Sequence, residues 1–176
     1  QWEPNDRQGV AIEHCIDLAN EAGAEPWICI PHLATDDYVS RLAGLLDKRL
    51  AAGRVVYLEY ANEYWNAAAG FSAGQWFALQ SKLLGVPLPA VYGGRLKRIA
   101  SIVRPVLGER AKIVLCGQAN NSWQAKKAAE AAGRGAFDAL GCAWYFGLPR
   151  AFIAADATTV DQVLDDCQRD INDRLV

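Results

Sequence analysis

Methionine is absent from this 176-residue chain, histidine occurs only twice, and no apolar run reaches the roughly 18 residues that a membrane span needs. A basic segment followed by an apolar stretch is missing too, so the protein either stays in the cytoplasm or has lost a leader. The missing methionine and the opening Gln1-Trp2-Glu3 read as a piece of something longer. There is no basic block: 18 Lys and Arg stand against 20 Asp and Glu, which leaves no electrostatic footprint for nucleic acid. No Cys pair stands at metal-ligand spacing, which argues against a zinc site. Neither a G-x-G-x-x-G nor a Walker A pattern occurs, and no cofactor is expected.

What is present describes a globular unit with a substantial core. Hydrophobic residues make up 52% and charged residues 22%, a balance that excludes both disorder and a coiled coil. Of the five cysteines, Cys15, Cys29, Cys116 and Cys142 sit in apolar runs and are expected to be buried thiols rather than a disulfide framework.

Hydrophobic spacing then orders the chain. Ile12, Cys15, Ile16, Ala19 and Ala22 recur at helical intervals within 10–22, with Gly23 as the terminating residue. Trp27 to Ile30, bracketed by Pro26 and Pro31, reads as a strand buried on both faces. Thr35 is placed to cap a helix that continues through Leu50 to Gly53, and Asp36 and Asp37 complement the positive end of its dipole. A second strand follows over 54–60. Further helices are expected over 72–84, with Ser72 as N-cap, and over 91–107, separated by Pro87-Leu88-Pro89. A third strand over 112–116, a helix over 122–132, a turn at Gly133-Arg134-Gly135, a fourth strand over 137–145 and a helix over 160–175 complete the pattern. Apolar strands alternating with helices imply an α/β fold with a parallel sheet. Two architectures compete, an open doubly wound sheet and half of a (β/α)8 barrel, whose full form needs about 250 residues.

Chemistry in such folds collects where strands end at their carboxyl side. The second strand runs into Tyr57-Leu58-Glu59-Tyr60-Ala61-Asn62-Glu63-Tyr64-Trp65-Asn66. There Glu63 sits between aromatic neighbours that are expected to desolvate it, raise its pKa and make it a general acid, with Asn62 offering hydrogen bonds beside it. The plainer alternative is that Asn62 and Glu63 only leave the strand and close a turn. Gly70-Phe71-Ser72-Ala73-Gly74 fits the G-x-S-x-G elbow of α/β-hydrolases, but Ala67-Ala68-Ala69 rather than a strand precedes it, and both His14 and His32 come too early for that triad order.

The Tyr-Leu-Glu-Tyr-Ala-Asn-Glu strand end resembles the acid/base strand of clan A glycoside hydrolases. With Pro26-Trp27 through Pro31-His32 and Asp36-Asp37-Tyr38-Val39, it is similar to a group of bacterial proteins of that clan sometimes labelled cellulose-binding. The resemblance runs from Ala11 to about Phe146. It implies that residues 1–176 are a single partial (β/α)8 TIM barrel whose four parallel strands are barrel strands three to six. By the same resemblance, Glu63 is the general acid/base, Asn62 holds the sugar 2-hydroxyl, and Tyr145 is the aromatic beside the nucleophile. His32, Gln118, Asn120 and Asn121 share the rim, and Trp65, Trp123 and Trp144 are platforms for sugar rings. The implied activity is retaining hydrolysis of a β-linked glycan, the implied partner an oligo- or polysaccharide.

Two departures stand out. Tyr64 occupies the place of the Pro common in the cellulase branch, and the clan's nucleophile ends strand seven, beyond Val176. A retaining pair needs carboxyls about 5–5.5 Å apart. Glu59 cannot complete it, since four strand residues put it roughly 13 Å from Glu63, and Asp138 starts a strand at the opposite end of the barrel. The alternative function is a carbohydrate-binding or catalytically silent barrel segment; an unrelated flavodoxin-like sheet would show a crossover in strand order. The half-barrel reading leaves its first and last strands as open edges, so the chain alone is expected to self-associate.

Overall fold

The computed structural model describes residues 10–119, 121–143 and 159–174. The chain divides into two compact units, Gln1–Cys142 and Ala143–Val176.

In the first unit, α1 (Ile12–Ala22) precedes β1 (Trp27–Ile30), α2 (Asp36–Arg49), β2 (Val56–Tyr60), α3 (Ser72–Leu84) and α4 (Leu88–Leu107). A 3-10 turn at Gly108–Arg110 then leads into β3 (Ala111–Gln118), α5 (Ser122–Ala132) and β4 (Ala139–Ala143), whose last residue falls in the second unit. The strands form one parallel sheet in the order β1-β2-β3-β4. Among the described residues the strand order shows no crossover of an open doubly wound sheet. Because parallel crossovers are right-handed, strands laid down in sequence put their connecting helices on the same side.

The registers show this directly. Ile28, Leu58 and Ile113 lie side by side across three strands, and all three are buried in one core with Tyr60 of β2 and, from the helices, Leu46, Phe77, Tyr92, Leu96 and Ile99. The neighbouring row, Trp27, Tyr57 and Lys112, faces the other way. Trp27 is 52% exposed. This corrects the expectation that β1 is buried on both faces: an apolar run reports that a strand can be covered twice, while only Ile28 and Ile30 meet a helix layer here. Cys29, on the same face as Glu59, and Cys142 are likewise exposed rather than buried, and Cys15 is half-buried; of the four, only Cys116 is a buried thiol.

Local chemistry sets the helix ends. Thr35 Oγ1 accepts a hydrogen bond from the Tyr38 amide at 3.2 Å, as expected of a cap, and Gly23 ends α1 in the left-handed region at φ 67°. Two starts differ from expectation. Ser72 is the first helical residue of α3, with Phe71 at the cap position and no side-chain cap bond. The Pro87-Leu88-Pro89 segment is no link, because Pro89 occupies the first turn of α4, where a missing N–H costs nothing. Glycines allow the tightest contacts: a Cβ on Gly93 of α4 would lie 2.1 Å from the Ala128 carbonyl oxygen of α5.

The described part of the second unit includes α6 (Val160–Arg174). A reciprocal capping box starts it. Gln162 N–H donates to Thr159 Oγ1 at 3.3 Å while the Thr159 N–H donates to Gln162 Oε1 at 2.8 Å.

Candidate functional site

Parallel strands in sequence bring the segments after β1, β2 and β3 to one rim of the sheet. His32 lies two residues past β1, Asn62 and Glu63 two and three residues past β2, and Gln118 closes β3. The ladder reaches past β2 itself, since the Ala61 N–H donates to the Ile30 carbonyl at 2.9 Å.

Beyond that point the chain turns sharply. Ala61 (φ 56°) and Glu63 (φ 48°) are the described non-glycine residues with positive φ, and they flank Asn62. Backbone of this kind costs about 1–3 kcal/mol per residue and persists only where its surroundings hold it. The hold is visible. Tyr64 is fully buried, its ring stacked on Tyr92 at 3.9 Å and 7°, with Phe77 edge-on at 5.7 Å. Burial pushes the Tyr64 hydroxyl pKa far upward, keeping it neutral. Inserting this ring next to Glu63 leaves Glu63 half-buried and Asn62 exposed on the rim. Glu63 Oε2 accepts a hydrogen bond from Asn66 Nδ2 at 2.8 Å.

The other expected site residues divide. Trp65 is half-buried, edge-on to Tyr64 at 5.0 Å and packed on the core, so part of its surface is spent inside the protein. Gln118 is half-exposed, in phase with Val114 and Cys116 on the face away from the helices. Asn121 caps α5, its side chain accepting from the Gln124 amide at 3.2 Å, and Trp123 in that helix's first turn is 54% exposed. Asn120, Trp144 and Tyr145 lie outside the described residues.

The His32 ring lies 5.9 Å from the Trp76 ring of α3. Together with Tyr60, Asp36 and Arg95 they line an open pocket of about 320 Å³ on the helix side of the rim. Burial lowers the His32 pKa, favouring the neutral imidazole. Tyr60 donates from its hydroxyl to the His32 carbonyl at 2.8 Å, and Asp36 binds both Arg95 and Arg98. Sequence reasoning missed this pocket, whose walls come from four separate segments.

It also missed the polar cluster on the sheet face opposite Leu58. The nearly buried Glu59 accepts from Trp27 Nε1 at 2.8 Å and from Cys29 Sγ at 3.4 Å. The period-two alternation in Tyr57-Leu58-Glu59-Tyr60 was the available signal, since it puts Glu59 opposite the core-facing Leu58. Burial first, then the charge and hydrogen bond of Glu59, push the Cys29 thiol up to about 12. Thiolate is the reactive form, so Cys29 should react with an aromatic disulfide reagent at pH 8 at least ~10-fold more slowly than an unstructured peptide thiol, despite its exposure. Glu59→Gln should speed the reaction. Peptide mapping of the labelled protein checks both; ordinary reactivity at Cys29 in the parent protein would contradict the Glu59 contact.

Among the described residues, no group of three or more His, Cys, Asp and Glu is arranged to hold a metal ion, and no helix is long and apolar enough to cross a membrane. No family model, curated protein or solved structure matches the chain.

Proposed function

We propose that this chain is a partial (β/α)8 barrel from a retaining glycoside hydrolase acting on a β-linked glycan, with Glu63 as general acid/base. The observation that carries this reading is a single one: Asn62 and Glu63 stand just past the carboxyl end of an interior strand, in a parallel sheet whose strands follow in sequence. Barrels are wound in that order, and their chemistry sits on that rim.

In the proposed reaction Glu63 gives its proton to the glycosidic oxygen as the C1–O bond breaks, the bonding electron pair staying on that oxygen. A second carboxylate, contributed by a strand outside this chain, bonds to C1. Water then attacks C1, hands a proton to the Glu63 carboxylate and releases the second carboxylate. Asn62, exposed beside Glu63, is available to a sugar hydroxyl, and Gln118 and Trp123 extend the same rim. Glu59 takes no part, held among Trp27 and Cys29 within the strand.

Glu63→Gln in the full-length protein tests the reading. Loss of turnover with glycan binding kept supports it, and sugar binding with no turnover in the unsubstituted protein would favour a binding module instead.

A further inference from the structure

Lys97 and Arg104 lie on α4, two turns apart, and Arg134 follows the end of α5; all three line an open recess of about 200 Å³ walled by the buried Ala100, Ala132 and Ala136. At about 30 Å³ for each water, that is room for roughly six or seven waters. The charges are not spent elsewhere. Arg41, Arg49, Arg95, Arg98 and Arg110 each meet an aspartate and Arg54 donates to a carbonyl, whereas neither Arg134 nor Lys97 has a carboxylate or carbonyl partner among the described residues. Arg104 is held in place from behind. Its Nη2 donates to both oxygens of Asp138, at 3.2 and 3.1 Å, and Asp138 Oδ2 also accepts from the Ile113 N–H at 2.7 Å. Its Nε is buried with no hydrogen-bond partner, a donor left over on a side chain that lines the recess.

We propose that this recess binds a phosphate dianion, free or as the monoester of a small molecule. Three cations against the single aspartate that Arg104 meets leave an excess of positive charge that a carboxylate, with one charge and two oxygens, would not match. A phosphate monoester brings about −1.5 to −2 charges at neutral pH and three terminal oxygens, one for each cation. Arginine offers such an ion a planar fork and lysine a point charge, and here they approach from α4 on one side and from the turn after α5 on the other. That turn is built to present Arg134. Gly133 and Gly135 on either side of it stand at φ 79° and 80°, which glycine adopts without a Cβ penalty, and a Cβ built on Gly135 meets nothing within 4 Å, so the turn opens into free space. One recess on a chain of net charge −2, without a basic stripe leading away from it, fits a single phosphate group and not a polyanion. The recess lies where β3 and β4 begin, at the end of the sheet opposite Glu63, so the proposal stands apart from the acid/base reading.

The test is a titration of the chain with inorganic phosphate, with glucose 6-phosphate and with glucose as the neutral control, followed in 1H–15N spectra at constant ionic strength. Both phosphates should move the Arg134 and Gly135 amides saturably, with dissociation constants of about 1 mM or below, while glucose leaves them in place. Tighter binding of the ester assigns a small-molecule monoester as the occupant and equal binding assigns the free ion; either result supports the site. Arg134→Gln and Lys97→Gln should each weaken binding at least ~10-fold, the scale of one charge-assisted hydrogen bond. Since neither side chain has a carboxylate or carbonyl partner among the described residues, both variants should unfold at the urea midpoint of the parent protein, so a loss of binding is not a loss of fold. Lys82→Gln removes a cation from α3 that does not line the recess and should leave the affinity unchanged. An equal loss in Lys82→Gln would mean general charge attraction and overturn the proposal. Shifts that stay linear to roughly 10 mM, or that survive both Arg134→Gln and Lys97→Gln, would overturn it as well.

Discussion

Glu63→Gln is expected to lower turnover of a β-glycan by the full-length protein at least ~100-fold, the ordinary scale for removing a general acid. The substitution keeps the shape of the side chain and an oxygen able to accept the Asn66 bond, so the turn from Ala61 to Asn66 should survive it. Folding is therefore not what the rate reports. The loss should be steepest for substrates whose leaving oxygen needs the proton, and far smaller for an activated aryl glycoside. Turnover within a few-fold of the parent protein would remove Glu63 from the mechanism and leave the rim as a surface that binds sugar at most. Asn62→Ala is a useful companion: a residue that only holds a substrate hydroxyl in the transition state should cost rate without the leaving-group dependence.

How far the amino-acid sequence discloses this site depends on which interaction sets each feature. Strands and helices rest on hydrophobic spacing, and these were legible: α3 and α5 occupy the expected residues, and the strands fall within two residues of the expected starts. Thr35 and Gly23 were legible because a cap is local chemistry. Features that depend on partners distant in the chain were not. Nothing in Trp27-Ile28-Cys29-Ile30 says which face meets a helix layer, so Trp27 and Cys29 were assigned to a core they do not join. The same limit applies at Glu63. Its place after a strand could be read, but the positive φ does not show in the residue types, and the burial of Tyr64 depends on Tyr92, 28 residues further along the chain in α4. His32 follows β1 on the rim, and its ring contact with Trp76 of α3 is of the same long-range kind.

The helix layer that backs the site makes its own strong prediction, at two adjacent glycines. Gly93 and Gly94 are identical in the sequence and opposite in the structure. A Cβ on Gly93 meets the Ala128 carbonyl oxygen at 2.1 Å and its carbon at 3.0 Å, both of them backbone atoms that no rotamer change can move aside; a Cβ on Gly94 meets nothing within 4 Å. Gly93→Ala should therefore force α4 and α5 apart and destabilise the protein by about 1–3 kcal/mol, with Gly93→Val costing more. Gly94→Ala should stabilise it by up to about 1 kcal/mol, since alanine loses less backbone freedom than glycine in a helix. Urea unfolding of the three variants beside the parent protein reads the signs directly. The same sign at both positions would mean that α4 and α5 do not cross at Gly93. The contact matters beyond stability, because Tyr92, the platform on which Tyr64 stacks, is the neighbouring residue of α4, and its hydroxyl oxygen accepts from the Cys116 amide of β3 at 3.0 Å. Parting the helices at Gly93 should thus loosen the Tyr92 ring and the Glu63 turn together, so Gly93→Ala is expected to lower turnover in the full-length protein at temperatures where it is still folded, while Gly94→Ala leaves it unchanged.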